Sequence, residues 1–114
     1  RPMSIHSNSS IDDYIIYIST SNGNLAALDR FSGDIIWSTE VDKDVLFSQP
    51  VLVDSYVLSF GTNGYAAILN IKDGNVIHYN KLLSSIDYQS NVLTINNTIY
   101  IVTKDGRLNA VKLN

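Results

Sequence analysis

The apolar positions of this chain fall in short runs, such as Tyr14-Ile15-Ile16-Tyr17-Ile18, Val51-Leu52-Val53 and Val92-Leu93-Thr94-Ile95. Clusters of Gly, Asn, Asp and Ser separate them. The runs are rich in Ile, Val and Tyr and follow strand alternation rather than the 3.6-residue period of a helix. They predict an all-β chain.

The pattern also repeats. Asn22-Gly23, Asn63-Gly64 and Asp105-Gly106 lie 41 and 42 residues apart, each between two apolar runs. Each reads as a two-residue hairpin turn, with positive φ at both positions accommodated by Asn, Asp and Gly. After each turn comes a run with small residues near its start or middle: Leu25-Ala26-Ala27-Leu28-Asp29, Tyr65-Ala66-Ala67-Ile68-Leu69-Asn70 and Leu108-Asn109-Ala110-Val111-Lys112. A second glycine turn, at Gly33 and again at Gly74, leads into Ile35-Ile36-Trp37 and Val76-Ile77-His78. Upstream, Pro50-Val51-Leu52-Val53 and Val92-Leu93-Thr94-Ile95 precede the tight turns Asp54-Ser55 and Asn96-Asn97. Pro2-Met3-Ser4-Ile5 fits the same slot in the first copy, with a longer loop expected over 7–13.

Each copy therefore reads as strand A, tight turn, strand B, glycine hairpin, strand C, glycine turn, strand D. A four-stranded antiparallel meander of about 40–45 residues is the period of a β-propeller blade. The expected blades are 1–47, 48–89 and an incomplete 90–114, about 2.75 in all. That is too few to close a ring, so the chain reads as part of a larger propeller or one that assembles. Many propellers close by letting the N-terminal strand of the whole protein serve as strand D of the last blade, and that is the expectation for the third copy. Open blade faces and free strand edges are also expected to drive self-association.

Composition narrows the functions. A net charge of −3 with scattered basic residues leaves no stripe that tracks a phosphate backbone, which argues against nucleic acid. Without cysteine there is no disulfide, thiolate nucleophile or sulfur-ligated metal. The two histidines, His6 and His78, lack flanking ligand spacing, so no metal site is expected. The glycine turns carry no G-x-G-x-x-G or Walker pattern, so Gly23, Gly33, Gly64, Gly74 and Gly106 read as turn residues. Asn8-Ser9-Ser10 and Asn96-Asn97-Thr98 match a glycosylation sequon, which matters only in a eukaryotic secretory protein. No catalytic residue or cofactor-binding residue stands out.

The stretch Asn22-Gly23-Asn24-Leu25-Ala26-Ala27-Leu28-Asp29, followed by Ser32-Gly33-Asp34-Ile35-Ile36-Trp37, resembles the repeat of pyrroloquinoline-quinone-type propellers. Within that group, the tail from Ile101 to Val111 looks like the last blade of the BamB family, lipoproteins of outer-membrane β-barrel assembly. The resemblance implies an eight-bladed ring and a non-catalytic scaffold without cofactor, on the periplasmic face of the bacterial outer membrane. It implies binding to the core subunit of the assembly machine and to unfolded outer-membrane proteins, with the membrane reached only through a lipid anchor outside this chain. For Trp37 it implies packing between blades with the ring N–H on a backbone acceptor. His78 in place of that tryptophan in the second copy, and the missing strand D in the third, depart from the pattern.

Quinone-dependent dehydrogenases, which hold calcium with acidic and amide ligands, share the repeat, as do sensor ectodomains of membrane receptor kinases. Both remain alternatives. The expected protein-binding residues are Asp42, Lys43, Asp44, Val45, Leu46 and Phe47, which join one blade to the next and set apolar residues beside charges. The competing reading tucks Val45, Leu46 and Phe47 between blades and leaves the charges solvated. The loop 81–89, with Leu82, Leu83, Ile86 and Tyr88, has the same two readings. Chain tracing puts both loops on the face of the Asn-Gly hairpins.

Overall fold

A computed structural model of the chain describes residues 5–11, 14–83, 92–96 and 98–112, the first of these segments by its backbone alone. Eleven strands run through them. Strands β1 (Ile5–Ile11), β2 (Ile15–Thr20), β3 (Asn24–Asp29) and β4 (Ile35–Glu40) form one antiparallel sheet in chain order. Strands β5 (Val51–Val53), β6 (Tyr56–Phe60), β7 (Tyr65–Asn70) and β8 (Val76–Lys81) form a second. Strands β9 (Val92–Ile95), β10 (Thr98–Val102) and β11 (Leu108–Lys112) form a third, three-stranded sheet. These are two complete meanders and a third lacking its outer strand, stacked as propeller blades.

The glycine hairpins differ from the two-residue turns expected of them. Gly23, Gly64 and Gly106 have φ of +76°, +85° and +87°, whereas Asn22, Asn63 and Asp105 do not enter the positive-φ region. The amide of Gly64 donates to Gly61 O at 2.9 Å and that of Gly61 to Tyr65 O at 2.8 Å, so three residues make the loop. A three-residue hairpin needs only one left-handed residue, at its last position, and glycine holds it. Positive φ outside glycine falls instead at Asp54 and Asn96, in the short A-to-B turns.

The first strand also corrects the reading of the sequence. Residues 7–11, expected as loop, belong to β1, which pairs Ser9 with Ile18, Ser10 with Tyr17 and Ile11 with Ile16 after a register shift between Ile5 and Ser9. Backbone pairing rather than apolar side chains makes this strand, and the shift absorbs the extra residues. The Pro2–Ser4 part of the expected strand lies outside the described residues.

The core lies between the blades. One cluster packs Tyr17, Leu25, Ala27 and Trp37 of the first sheet against Val57, Ala67 and Leu69 of the second, with Val45 and Phe47 inserted from the connecting loop. The other packs Val53, Leu58, Phe60 and Ala66 of the second sheet against Ile99 and Ile101 of the third. Because strand side chains alternate, each blade offers one apolar face to each neighbour. The small residues Ala27 and Ala67 let the sheets approach. Two buried hydroxyls find backbone acceptors on the segment that joins the blades: Ser19 donates to Phe47 O at 3.1 Å, and Ser59 to Ser48 O at 2.7 Å.

Candidate functional site

The segment 41–47 leaves β4 and crosses to the second blade. Its course follows from the hairpin beside it: Gly23 O accepts the amides of Val41 at 3.1 Å and Asp42 at 3.4 Å. A Cβ at Gly23 would sit 1.9 Å from Asp42 O, so glycine is required here by contact as well as by φ. The next blade repeats the joint, with Gly64 O accepting from Leu82 and Leu83, both at 3.0 Å. Each blade-to-blade connection is thus seated on a glycine hairpin, which brings hairpins and connections to one face.

The six loop residues divide between interior and surface. Val45 and Phe47 are buried in the inter-blade core, and Leu46 is half-buried. Lys43 and Asp44 are exposed, and Asp42 is half-buried. Burying a side chain of the size of Phe47 is worth about 1.5–3 kcal/mol, so this part of the loop is an anchor in the free chain. The part of the loop that reaches the surface is Lys43 and Asp44, with the outer parts of Asp42 and Leu46.

Asp42 is held from the next blade. The Tyr79 hydroxyl donates to Asp42 Oδ2 at 3.0 Å and accepts from Asn63 Nδ2 at 3.1 Å, while Lys81 Nζ donates to Asn63 O at 3.0 Å. The Tyr79 ring lies 4.8 Å from that of Tyr65 and 6.3 Å from that of Phe47, centroid to centroid. Burial, with a smaller contribution from the Asp42 carboxylate, pushes the Tyr79 phenol above its usual range. The sequence pattern does not single out Tyr79, Asn63 or Lys81. Asn63 sits in a recognised turn, but nothing local marks Tyr79, because its partner is 37 residues away.

Trp37 docks the blades at the opposite end of the strand. Its Nε1–H donates to Ile71 O at 3.0 Å, and Thr39 Oγ1 donates to Gly74 O at 2.7 Å. A Cβ at Gly74 would lie 2.4 Å from the indole ring. At the same place in the other turn, a Cβ added at Gly33 would meet nothing within 4 Å. His78 is exposed on β8, and the side chain of His6 lies outside what is described. In the loop 81–89, Lys81 ends β8, Leu82 is exposed and Leu83 buried, while Ile86 and Tyr88 lie outside the described residues. Among the described residues, no three His, Cys, Asp or Glu gather as a metal set would.

A family model described as the outer membrane protein assembly factor BamB matches residues 2–114. The chain belongs to the BamB family. BamB of Shewanella oneidensis is 34% identical over 59 residues, 52% of this chain and 15% of that protein. The crystal structure of BamB from Moraxella catarrhalis superposes with a TM-score of 0.79 at 22% identity, covering 92% of this chain and 30% of the other. The chain thus spans a minor part of these BamB proteins. Ika4, a computationally designed protein, has a TM-score of 0.75 at 15% identity, covering 93% of this chain and 64% of the design. A europium-containing methanol dehydrogenase follows at 0.55 and 22%, over 64% of this chain and 15% of that enzyme, a likeness of fold alone.

Proposed function

We propose that the chain is a non-catalytic, protein-binding part of an outer-membrane protein assembly scaffold, working at the periplasmic face of the bacterial outer membrane. Membership of the BamB family across residues 2–114 carries this reading. The loop geometry supports it. A partner meets Lys43 and Asp44 on a loop already fixed by the Gly23 carbonyl, the buried Val45 and Phe47 and the Tyr79–Asp42 hydrogen bond. Such pre-ordering lowers the entropy lost on binding.

The partners are the core subunit of the assembly machine and unfolded outer-membrane proteins, and no reaction is catalysed. The direct test immobilises the chain and titrates the soluble periplasmic part of the core subunit. Reversing both charges, Lys43→Glu with Asp44→Lys, is expected to weaken binding about ten-fold while leaving the melting temperature unchanged, because both side chains are exposed. Equal binding by the variant would move the interface off this loop, and no binding by either form would refute the scaffold reading for these blades.

A further inference from the structure

Two Asn-Gly pairs, Asn22-Gly23 and Asn63-Gly64, stand at the same place in the first and second blades. Such a pair is reactive as well as turn-forming. Glycine has no side chain to shield its amide nitrogen, so that nitrogen can approach the side-chain carbonyl of the asparagine before it and close a five-membered ring. The two glycines share one setting: both have left-handed φ, both are buried, and each carbonyl receives two amides from a blade connection. A difference in reactivity between the pairs therefore comes from what holds the asparagine.

In the second blade every group that ring closure would use is engaged. Asn63 Nδ2 donates to the Tyr79 hydroxyl at 3.1 Å, its Oδ1 accepts the Tyr65 amide at 3.2 Å, and the Gly64 amide donates to Gly61 O at 2.9 Å. The Tyr79 hydroxyl is in turn fixed by Asp42 at 3.0 Å. In the first blade Asn22 is exposed, and its side chain bonds to no described residue. The Gly23 amide reaches Thr20 O only at 3.4 Å, beyond the usual range of a hydrogen bond. At the place of Tyr79 stands Ser38, which pairs with Ala26 as Tyr79 pairs with Ala67. The holding phenol comes from a blade's own outer strand, so its loss is a property of the first blade's own sequence.

We propose that Asn22 is a site of spontaneous deamidation and that Tyr79 protects Asn63 from the same reaction. The Gly23 amide gives its proton to solvent, its nitrogen bonds to Cγ of Asn22, and the Cγ–Nδ2 bond breaks, Nδ2 leaving as ammonia. Water then opens the resulting succinimide. Cleavage between the Gly23 nitrogen and Cγ gives aspartate. Cleavage between that nitrogen and the main-chain carbonyl carbon gives isoaspartate, whose main chain runs through Cβ and Cγ and is one atom longer. One water enters and one ammonia leaves, with no change of oxidation state. Aspartate adds a negative charge to the face shared by hairpins and connections. Isoaspartate also shifts Gly23, whose carbonyl seats Val41 and Asp42 and whose surroundings would not admit even a Cβ. The reaction thereby loosens the connection between the first and second blades.

The test ages the folded 114-residue chain in warm, mildly alkaline buffer and follows aspartate and isoaspartate at both positions by peptide mapping and mass spectrometry. Asn22 is expected to convert about ten-fold or more faster than Asn63, the factor that two or three hydrogen bonds supply. In concentrated urea the two rates should converge, because glycine follows both residues. Tyr79→Phe is expected to speed conversion at Asn63 about three-fold or more and to leave Asn22 as it was. If that variant loses its circular dichroism spectrum, the comparison of the two sites in the unaltered chain decides. Hydrogen exchange at the amides of Val41 and Asp42 should quicken in the aged chain but not in Asn22→Gln aged alike. An Asn22 that stays intact when folded but reacts in urea, equal rates at the two sites of the folded chain, or an Asn63 still protected in folded Tyr79→Phe overturns the proposal. So does exchange that quickens equally in Asn22→Gln.

Discussion

Alanine at Gly74 and, separately, alanine at Gly33 place the same methyl group at the same repeat position with different surroundings. Both glycines have φ in the left-handed region, at +76° and +79°. Holding an L-residue there costs about 1–2 kcal/mol, and this is the whole expected penalty of Gly33→Ala, which meets open space. At Gly74 the added carbon would lie 2.4 and 2.5 Å from two indole atoms of Trp37 and 2.8 Å from Thr39 Oγ1. Trp37 is pinned by its bond to Ile71 O and packed against Tyr17, so it has little room to retreat. Overpacking adds about 1–3 kcal/mol, for a total of roughly 2–5 kcal/mol. Urea titration read by far-ultraviolet circular dichroism measures both. For a chain of this size the excess at Gly74 corresponds to a melting temperature roughly 10 °C below that of Gly33→Ala. Introducing Trp37→Leu should then recover part of the Gly74→Ala loss, a coupling that only contact between the two sites produces. Equal losses at the two glycines, or additivity with Trp37→Leu, would refute the argument that the indole seats on the next blade's turn.

Tyr79→Phe removes the hydroxyl bonded to Asp42 and Asn63 and is expected to cost about 1 kcal/mol at neutral pH. The Tyr79 phenol is raised in the folded chain, so its contribution is full below the ordinary value and is lost as pH rises through the folded one. The gap between the two proteins should therefore close above about pH 10, as chemical denaturation across alkaline pH would show. Asp29 behaves oppositely: the amides of Ser32 and Phe31 hold its carboxyl below the usual range, so its contribution is present above about pH 4 and is lost as pH falls through the lowered value. Asp29→Asn should lower stability at pH 6 and match the parent in strong acid, and a gap independent of pH would count against that turn geometry.

The strands, their order and the repeat are legible in the sequence because they rest on local rules. Short apolar runs rich in Ile, Val and Tyr mark β2, β6 and β10, and glycine marks the hairpin and C-to-D turns where the backbone enters the left-handed region. Even so, the hairpins read one residue short, since Asn-Gly suits both two- and three-residue loops and only the hydrogen bonds tell them apart. β1 is hidden because Asn8, Ser9 and Ser10 carry no apolar signal, and its pairing with β2 comes from backbone groups.

The sequence by itself determined that this protein is built of blades, since a 41-residue period with glycine at fixed places admits few other solutions. It also located the loop 42–47 as a meeting of charge and apolar surface by residue type alone. Which of those side chains reach the surface was decided by tertiary structure: Val45 and Phe47 go inward because the second blade supplies Val57, Ala67 and Leu69 to receive them. The Asp42–Tyr79 bond and the seat of Trp37 on Gly74 were likewise decided there, because each joins residues more than thirty positions apart. Local pattern specifies a strand and its two faces, but what covers a face depends on the next blade.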